Sequence, residues 1–169
     1  MIIEEYKKLV LPIKNKLFRF SLRIVGNVAE AEDVVQEVFI KVWNKRSEVE
    51  SFNNLEAWCM TLTKNLSIDK LRSKHRRVDA LPDTYDMPSQ AASPYQTTVA
   101  NDTISRIEKM MAGLPDKQRM VMQLRDIEGM SYNEISEILN ITLDQVKINL
   151  FRARKDIRSQ LLNSESYGL

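Results

Sequence analysis

Apolar residues recur at helical spacing in the first half of the chain. Residues 30–46 carry a broad apolar stripe beside an acidic first turn formed by Glu30, Glu32 and Asp33, a pattern typical of an amphipathic helix. The stripe consists of Val34, Val35, Val38, Phe39, Val42 and Trp43. A second helix is predicted over residues 54–77. Its expected buried side consists of Leu55, Trp58, Leu62, Leu66 and Leu71.

Two helix-start signatures lie close together near the C-terminal end of the chain. Ser131 followed by Glu134 fits a capping box, in which hydroxyl and carboxylate each bind a free amide of the first helical turn. Thr142 followed by Gln145 repeats the pattern. Between them Asn140 tolerates the left-handed backbone that a tight corner between helices needs. The spacing predicts a helix-turn-helix.

The second of these helices has two different sides. Its apolar side is expected to pack on Ile135, Ile138 and Leu139 of the first helix, and it consists of Val146, Leu150, Ala153, Ile157 and Leu161. The opposite side consists of Asp144, Lys147, Ile148, Phe151, Arg152, Lys155 and Arg158, with Gln145, Asn149 and Arg154 on its flanks. Cations and amides of this kind suit the major groove of DNA.

The helix pair alone also fits an antiparallel corner with a solvated basic face, and such corners are common. Ile148 and Phe151 favour a contact surface, because large apolar groups in open water often mark one. They would equally fit a position that seals the edge of the core. The pattern of this segment alone leaves both interpretations open.

Residues 81–102 separate two helical blocks. This segment gathers three prolines with Ser, Thr, Gln and Asn and lacks helical apolar spacing, so it is predicted to be a linker. We therefore predict domains at residues 1–80 and 103–169. With only four glycines and five prolines in 169 residues, and no alternating strand pattern, the expected fold is all-α: two small helical domains on a flexible tether, the second a helix-turn-helix domain.

The composition of the chain limits the kinds of functional site that it can form. Cys59 and His75 are the only cysteine and histidine, so a structural zinc site, a disulfide framework and a Cys–His nucleophile pair lack partners, and we expect neither a metal nor a cofactor. Residues 1–25 are interrupted by Lys and Arg, which predicts no secretion signal, no membrane insertion and a cytoplasmic protein. Residues 64–77 carry six Lys or Arg against the single acid Asp69, so that helix end is expected to be strongly positive.

Three segments carry a resemblance to a known family. LPDKQRMVMQLRDIEGMSYNEISEILNITLDQVKINLFRARKDIR resembles region 4, and AEDVVQEVFIKVW with LEAWCMTLTKNLSIDKLRSKHRR resembles region 2, of the extracytoplasmic-function sigma factors. These are the smallest members of the bacterial sigma-70 family, which directs RNA polymerase to promoters. The resemblance implies that the first domain recognises and melts the element near the start site and that the second reads an element further upstream.

The resemblance also implies partners and residue roles. Expected partners are promoter DNA and core RNA polymerase, through the clamp helices of its largest subunit and the flap of its second subunit. An anti-sigma factor that covers these surfaces is a further hypothesis, motivated by the predicted tethered layout and by the lack of any ligand site in the sequence. The upstream element would be bound by Thr142, Asp144, Gln145, Lys147, Ile148, Asn149, Phe151, Arg152 and Lys155. The melted element would be bound by Phe52, Asn53, Asn54, Lys64, Asn65, Lys70, Arg72, Arg76 and Arg77. Polymerase would be bound by Asp33, Gln36, Glu37, Phe39 and Trp43, although core packing is the stronger interpretation for the two aromatic residues.

The chain departs from the family pattern at three places. Asn140 stands where members often have glycine, Asn149 where they often have arginine, and residues 60–64 lack an arginine usual in that stretch. The promoter sequence therefore does not follow from the resemblance. A dimeric helix-turn-helix repressor and a sigma mimic that captures a regulator are the alternatives, whereas no motif specifies an enzymatic reaction.

Overall fold

The computed structural model describes residues 2–80 and 101–166, and their regular structure is helical throughout. The chain folds as two compact units, Met1–Gln90 and Ala91–Leu169. The first unit contains α1 (Ile3–Val25), α2 (Val28–Asn44), a 3-10 turn (Val49–Ser51) and α3 (Leu55–Ala80). The second contains α4 (Asn101–Ala112), α5 (Asp116–Met122), a π-helical turn (Gln123–Ile127), α6 (Tyr132–Leu139) and α7 (Leu143–Ser166). The predicted all-α fold is confirmed for this part of the chain.

The predicted linker falls mostly outside the described residues. Residues 81–100 lie outside them, and Asn101 and Asp102 form the first turn of α4. The domain limits at residues 80 and 103 stay a prediction. Within the described ranges, no helix is long and apolar enough to span a bilayer.

The core of the first unit lies between α1, α2 and α3, each of which packs on the other two. The predicted stripe of α2 supplies Val34, Val35, Val38 and Val42, all buried, and α1 adds Leu17 and Phe20. Asn27 begins α2 by accepting a hydrogen bond from the Glu30 amide at 3.0 Å. The adjoining Gly26 ends α1 in the left-handed region at φ 69°, which suits a residue without a Cβ atom.

The buried side of α3 differs from the prediction. Leu55, Trp58, Leu62, Leu66 and Leu71 are only half-buried. The fully buried side consists of Ala57, Cys59, Met60, Thr63 and Ser67. Small side chains let α1 and α3 approach closely, and the hydroxyls of Ser21 and Ser67 hydrogen-bond across this contact at 2.8 Å. The predicted side is therefore only partly buried, because the contact with α1 and α2 centres on the neighbouring positions, which include the large Met60 as well as small residues.

The second unit is built around α7. Val146, Leu150, Ala153 and Ile157 are buried as predicted, and Leu161 is half-buried. Ala153 and Ile157 belong to a core cluster with residues of α4, α5 and the turn between them, namely Met111, Leu114 and Met122. Ile135 and Ile138 of α6 are fully buried, and α6 packs on α7. The long helix thus has one side fixed to the core and the other side available.

Candidate functional site

Both predicted capping boxes are present in the helix-turn-helix. The Glu134 amide donates to Ser131 Oγ at 3.1 Å, and the Ser131 amide donates to Glu134 Oε1 at 2.9 Å. In the second box, the Gln145 amide donates to Thr142 Oγ1 at 3.1 Å, and the Thr142 amide donates to Gln145 Oε1 at 3.0 Å. Each box satisfies two amides that the helix itself leaves free, so the start of each helix is fixed by its own neighbouring side chains.

The corner between α6 and α7 is tight. Asn140 ends α6 in the left-handed region with φ 53° and ψ 51°, as its sequence position predicted. Ser136 Oγ donates to the Ile141 carbonyl at 2.5 Å and closes the turn. Asparagine therefore takes the conformation for which members of the resembled family often use glycine.

The predicted DNA-reading face of α7 is exposed. The exposed members of the set are Thr142, Asp144, Gln145, Lys147, Ile148, Phe151, Arg152 and Lys155. Ile148 and Phe151 are 48% and 67% exposed, so they do not seal the edge of the core. Asn149 is half-buried, and its Nδ2 donates to the Gln145 carbonyl at 2.8 Å. The free polar groups of this face are therefore mainly its cations and Asp144.

Arg154, predicted on the flank of this face, is held by a residue distant in sequence. Its Nε and Nη2 donate to the two carboxylate oxygens of Asp126 at 3.1 and 2.5 Å. This hydrogen-bonded pair raises the pKa of the Arg154 guanidinium. Asp126 lies in the π-helical turn, so the pair ties that turn to α7.

A groove of about 390 Å³ runs beside α7, and the sequence patterns had not predicted it. It is lined by Tyr132, Lys147, Leu150, Phe151, Arg154, Lys155 and Arg158. The α7 members recur three and four residues apart, a spacing that the sequence does contain. Tyr132 comes from α6, and Arg125 stacks over its ring at 4.7 Å. The groove joins several cations to an aromatic and apolar floor.

The loop before α3 presents the first group of residues predicted for the melted element. The rings of Phe52 and Trp58 stack with centroids 4.9 Å apart, which fixes the Phe52 side chain. Asn54 caps α3, since its Oδ1 accepts from the Ala57 amide at 3.0 Å. Asn53 is exposed. The loop thus presents a stacked aromatic pair beside the exposed residues Asn53 and Asn54.

The basic residues of α3 fall on two sides of the helix. Asn65, Arg72 and Arg76 are exposed and follow one another along one side. Lys70 lies on another side, where its Nζ approaches Glu37 Oε1 of α2 at 3.8 Å. Lys64 is half-buried, and this burial lowers the pKa of its ammonium group. The side chain of Arg77 lies outside the described residues.

The predicted polymerase surface lies along α2. Asp33, Gln36 and Glu37 are exposed on it. Ile40, one turn further on, is 59% exposed. The sequence patterns did not single it out, because one apolar residue off the main stripe gives no periodic signal.

The two aromatic residues of the α2 set are packed against α1. Phe39 and Trp43 are half-buried. The Tyr6 hydroxyl donates to the Phe39 carbonyl at 2.6 Å, and the Tyr6 and Trp43 rings meet edge to face at 5.1 Å. Burial raises the pKa of Tyr6, with a smaller contribution from Cys59. The ring contact gives Trp43 a packing role, whereas Phe39 is contacted through its backbone carbonyl.

Comparisons with known proteins identify two family segments in the chain. The family described as Sigma-70 region 2 matches residues 5–77, and the family described as Sigma-70, region 4 matches residues 104–157. ECF RNA polymerase sigma factor SigW of Bacillus subtilis is 31% identical over 88% of this chain and 84% of its own length. ECF RNA polymerase sigma factor SigE of Mycolicibacterium smegmatis is also 31% identical over 95% of this chain, which spans 63% of that relative.

Solved structures share the fold. The sigma factor RpoE from Bartonella quintana, solved in complex with the anti-sigma factor NepR, matches with a TM-score of 0.72 and 24% identity over 94% of this chain and 97% of its own. CnrH, solved in complex with the cytosolic domain of CnrY, matches with a TM-score of 0.67 and 21% identity over 96% of this chain and 90% of its own. With regions 2 and 4 in this order and SigW matched over most of both lengths, the chain belongs to the ECF RNA polymerase sigma factors of the sigma-70 family.

Proposed function

We propose that this chain binds core RNA polymerase and directs it to promoters, where it contributes to recognition and melting of the DNA. Residues 1–80 would bind polymerase and the element near the start site, and residues 103–169 would read the upstream element across the linker at 81–102. The observation that carries the proposal is the outward face of α7, which presents exposed cations together with exposed apolar residues. This face follows a tight turn whose two flanking helices each begin with a capping box.

For the upstream element, α7 would enter the major groove. Lys147, Arg152 and Lys155 are exposed and form no ion pair within the described residues, so their charges are available to phosphates and guanine edges. The first turns of a recognition helix contact base edges, which assigns residues 142–152 to base reading and Lys155 to the backbone. Arg158 and Tyr132, which line the groove beside Phe151, extend the backbone contact.

For the melted element, the exposed side of α3 would hold the single strand. Arg72 and Arg76 follow Asn65 on that side and supply positive charge for the phosphates. The Phe52–Trp58 stack, with Asn53 and Asn54 beside it, supplies a wall against which an extruded base can stack. Lys64, Lys70 and Arg77 complete the proposed set.

For polymerase, the exposed polar residues of α2 would contact the clamp helices of the largest subunit. Asp33 and Glu37 offer carboxylates, Gln36 offers an amide, and Ile40 offers an exposed apolar group one turn later. The second unit would contact the flap of the second subunit. Trp43 packs on Tyr6 of α1, and the Phe39 carbonyl accepts a hydrogen bond from the Tyr6 hydroxyl, so both residues hold this part of α2 against α1.

We also propose that the protein acts in the cytoplasm, without enzymatic activity or a cofactor, and that an anti-sigma factor controls it by covering these surfaces. The tethered two-domain layout and the exposed apolar residues Ile40, Ile148 and Phe151 support such a partner. Affinity capture from cells under several stresses is the test. Recovery of polymerase subunits alone in every condition would remove the anti-sigma factor from this account.

A mobility shift of genomic promoter fragments tests the proposed function against the repressor alternative. The fragments are incubated with this protein alone, with core polymerase alone and with both. We expect sequence-specific complexes only when this protein and core polymerase are both present, because the DNA-binding and polymerase-binding surfaces act together in one complex. Specific binding to a palindromic site by the protein alone would contradict the proposal and favour a dimeric repressor.

A further inference from the structure

Two large apolar side chains stand among the charges on the outward face of α7. Ile148 is 48% exposed and Phe151 is 67% exposed, and they lie three residues apart, so they are neighbours on the helix surface. Leaving such groups in water is unfavourable, and adjacent exposed apolar residues therefore indicate a contact. The proposed function places both residues in the base-reading segment of α7 and under an anti-sigma factor, but it does not say which feature of the DNA their apolar side chains contact.

The position of Ile148 excludes a role in the core of this unit. Val146 and Leu150, two residues before and two after, are buried, which places Ile148 on the opposite side of the helix. It lies in the second turn of α7, which begins at Leu143. This is the part of a recognition helix that reaches base edges.

The charges around Ile148 fit DNA. Lys147 precedes it, Arg152 follows one turn later, and Lys155 follows a second turn later, all exposed. These three cations can pair with phosphates on both sides of a groove. On the floor of the major groove, the thymine C5-methyl group is the apolar feature that distinguishes one base pair from another, and apolar side chains contact it. A branched aliphatic side chain surrounded by cations therefore fits a thymine methyl group between two phosphate backbones.

We propose that Ile148 is a specificity-determining residue that contacts the C5-methyl group of a thymine in the upstream element, with Phe151 packing beside it. The inference rests on the proposed function and deepens it, since it names a chemical feature of the DNA that this face reads. It predicts that the upstream element contains at least one A·T pair whose thymine methyl contributes to binding.

The test replaces single thymines by deoxyuridine, which lacks only that methyl group. Promoters are first obtained from the start sites that this protein and core polymerase produce, and each upstream thymine on either strand is then replaced in turn. We expect deoxyuridine at one or two positions to weaken holoenzyme binding about fourfold, the factor for losing one buried methyl group. Holoenzyme with Ile148→Ala should bind the thymine and deoxyuridine promoters equally at those positions.

Leu162→Ala is the matched control. Leu162 is 58% exposed on α7 but lies about 21 Å further along the helix, at ~1.5 Å per residue, and should leave the discrimination intact. Equal binding of the thymine and deoxyuridine promoters by the unsubstituted protein would overturn the proposal for Ile148 and leave the proposed function intact. The same holds if Ile148→Ala still discriminates between the two promoters, or if the upstream element contains no thymine. Absence of any promoter-dependent initiation would count against the proposed function and this proposal together.

Discussion

Lys70 of α3 and Glu37 of α2 form an ion pair, with Nζ 3.8 Å from Oε1. Lys70 belongs to the surface proposed for the melted strand, and Glu37 belongs to the surface proposed for polymerase. The side chains are 27% and 47% exposed, and a pair of this kind contributes roughly 0–1 kcal/mol to stability. DNA binding to Lys70 or polymerase binding to Glu37 can therefore break the pair at small cost. The surface proposed for the melted strand and the surface proposed for polymerase meet at this pair.

Glu37→Gln should weaken binding of core polymerase while leaving the fold intact. The carboxylate is exposed, so its removal is expected to change the free energy of unfolding by no more than about 1 kcal/mol. Affinity for core, measured by fluorescence anisotropy of the labelled protein, should fall several-fold. Glu32→Gln, an exposed acid outside the proposed set on the same helix, is the control. Equal affinities for the two variants would remove Glu37 from the interface.

Lys147→Ala and Arg152→Ala should lower promoter-dependent transcription roughly five-fold or more each, on the scale of one lost base or phosphate contact. Neither side chain takes part in an ion pair within the described residues, so we expect the free energy of unfolding to change by less than about 0.5 kcal/mol. Arg154→Ala is the contrasting variant, because it breaks the pair with Asp126 and should lower the melting temperature. A matching loss of stability in the first two variants would contradict their placement.

Asn65→Ala should impair promoter opening more than it impairs closed-complex binding. Asn65 is exposed on the side of α3 that also carries Arg72 and Arg76, where a melted strand would lie. Permanganate reactivity of the melted thymines measures opening, and a mobility shift under conditions that prevent melting measures closed binding. Asn15→Ala, which removes an exposed amide from α1, should change neither. Equal losses in both steps would exclude Asn65 from the melting role.

Cys59 should make stability fall at high pH. Burial, with a smaller contribution from the charge of Glu56, raises the pKa of the Cys59 thiol from 9.0 to about 12. Below pH 9 the thiol is neutral in both the folded and unfolded states. Between pH 9 and 12 only the unfolded state ionises, so the free energy of unfolding falls by up to about 1.4 kcal/mol per pH unit.

Urea unfolding of the unsubstituted protein and of Cys59→Ala across this pH range isolates the contribution of the thiol. The difference in unfolding free energy between the two proteins should narrow as pH rises above 9. A difference that is independent of pH would show that Cys59 is exposed to ionisation in the folded state.

Local sequence signals predicted the helix-turn-helix well. Both capping boxes, the left-handed Asn140 and the buried side of α7 depend on residues within a few positions of one another, so spacing alone identifies them. The apolar stripe of α2 was predicted for the same reason. The exposure of Ile148 and Phe151 shows that they do not seal the edge of the core, whereas DNA binding by this face stays a prediction.

Features that depend on distant partners were not predictable. Arg154 is held by Asp126, 28 residues earlier, and Lys70 is paired with Glu37 on another helix. The most buried positions of α3 include Ser67, which hydrogen-bonds to Ser21 of α1, and Met60, whereas the predicted leucines are only half-buried. Helical periodicity contains no information about which residues face a neighbouring helix this closely.

Run-off transcription with this protein, core RNA polymerase and a pool of genomic fragments tests the central claim most directly, with the 5′ ends of the products determined by sequencing. The account predicts discrete start sites that share two spaced upstream elements and that disappear when this protein is omitted. Active core polymerase that yields no start sites dependent on this protein would contradict the claim that the chain directs transcription initiation.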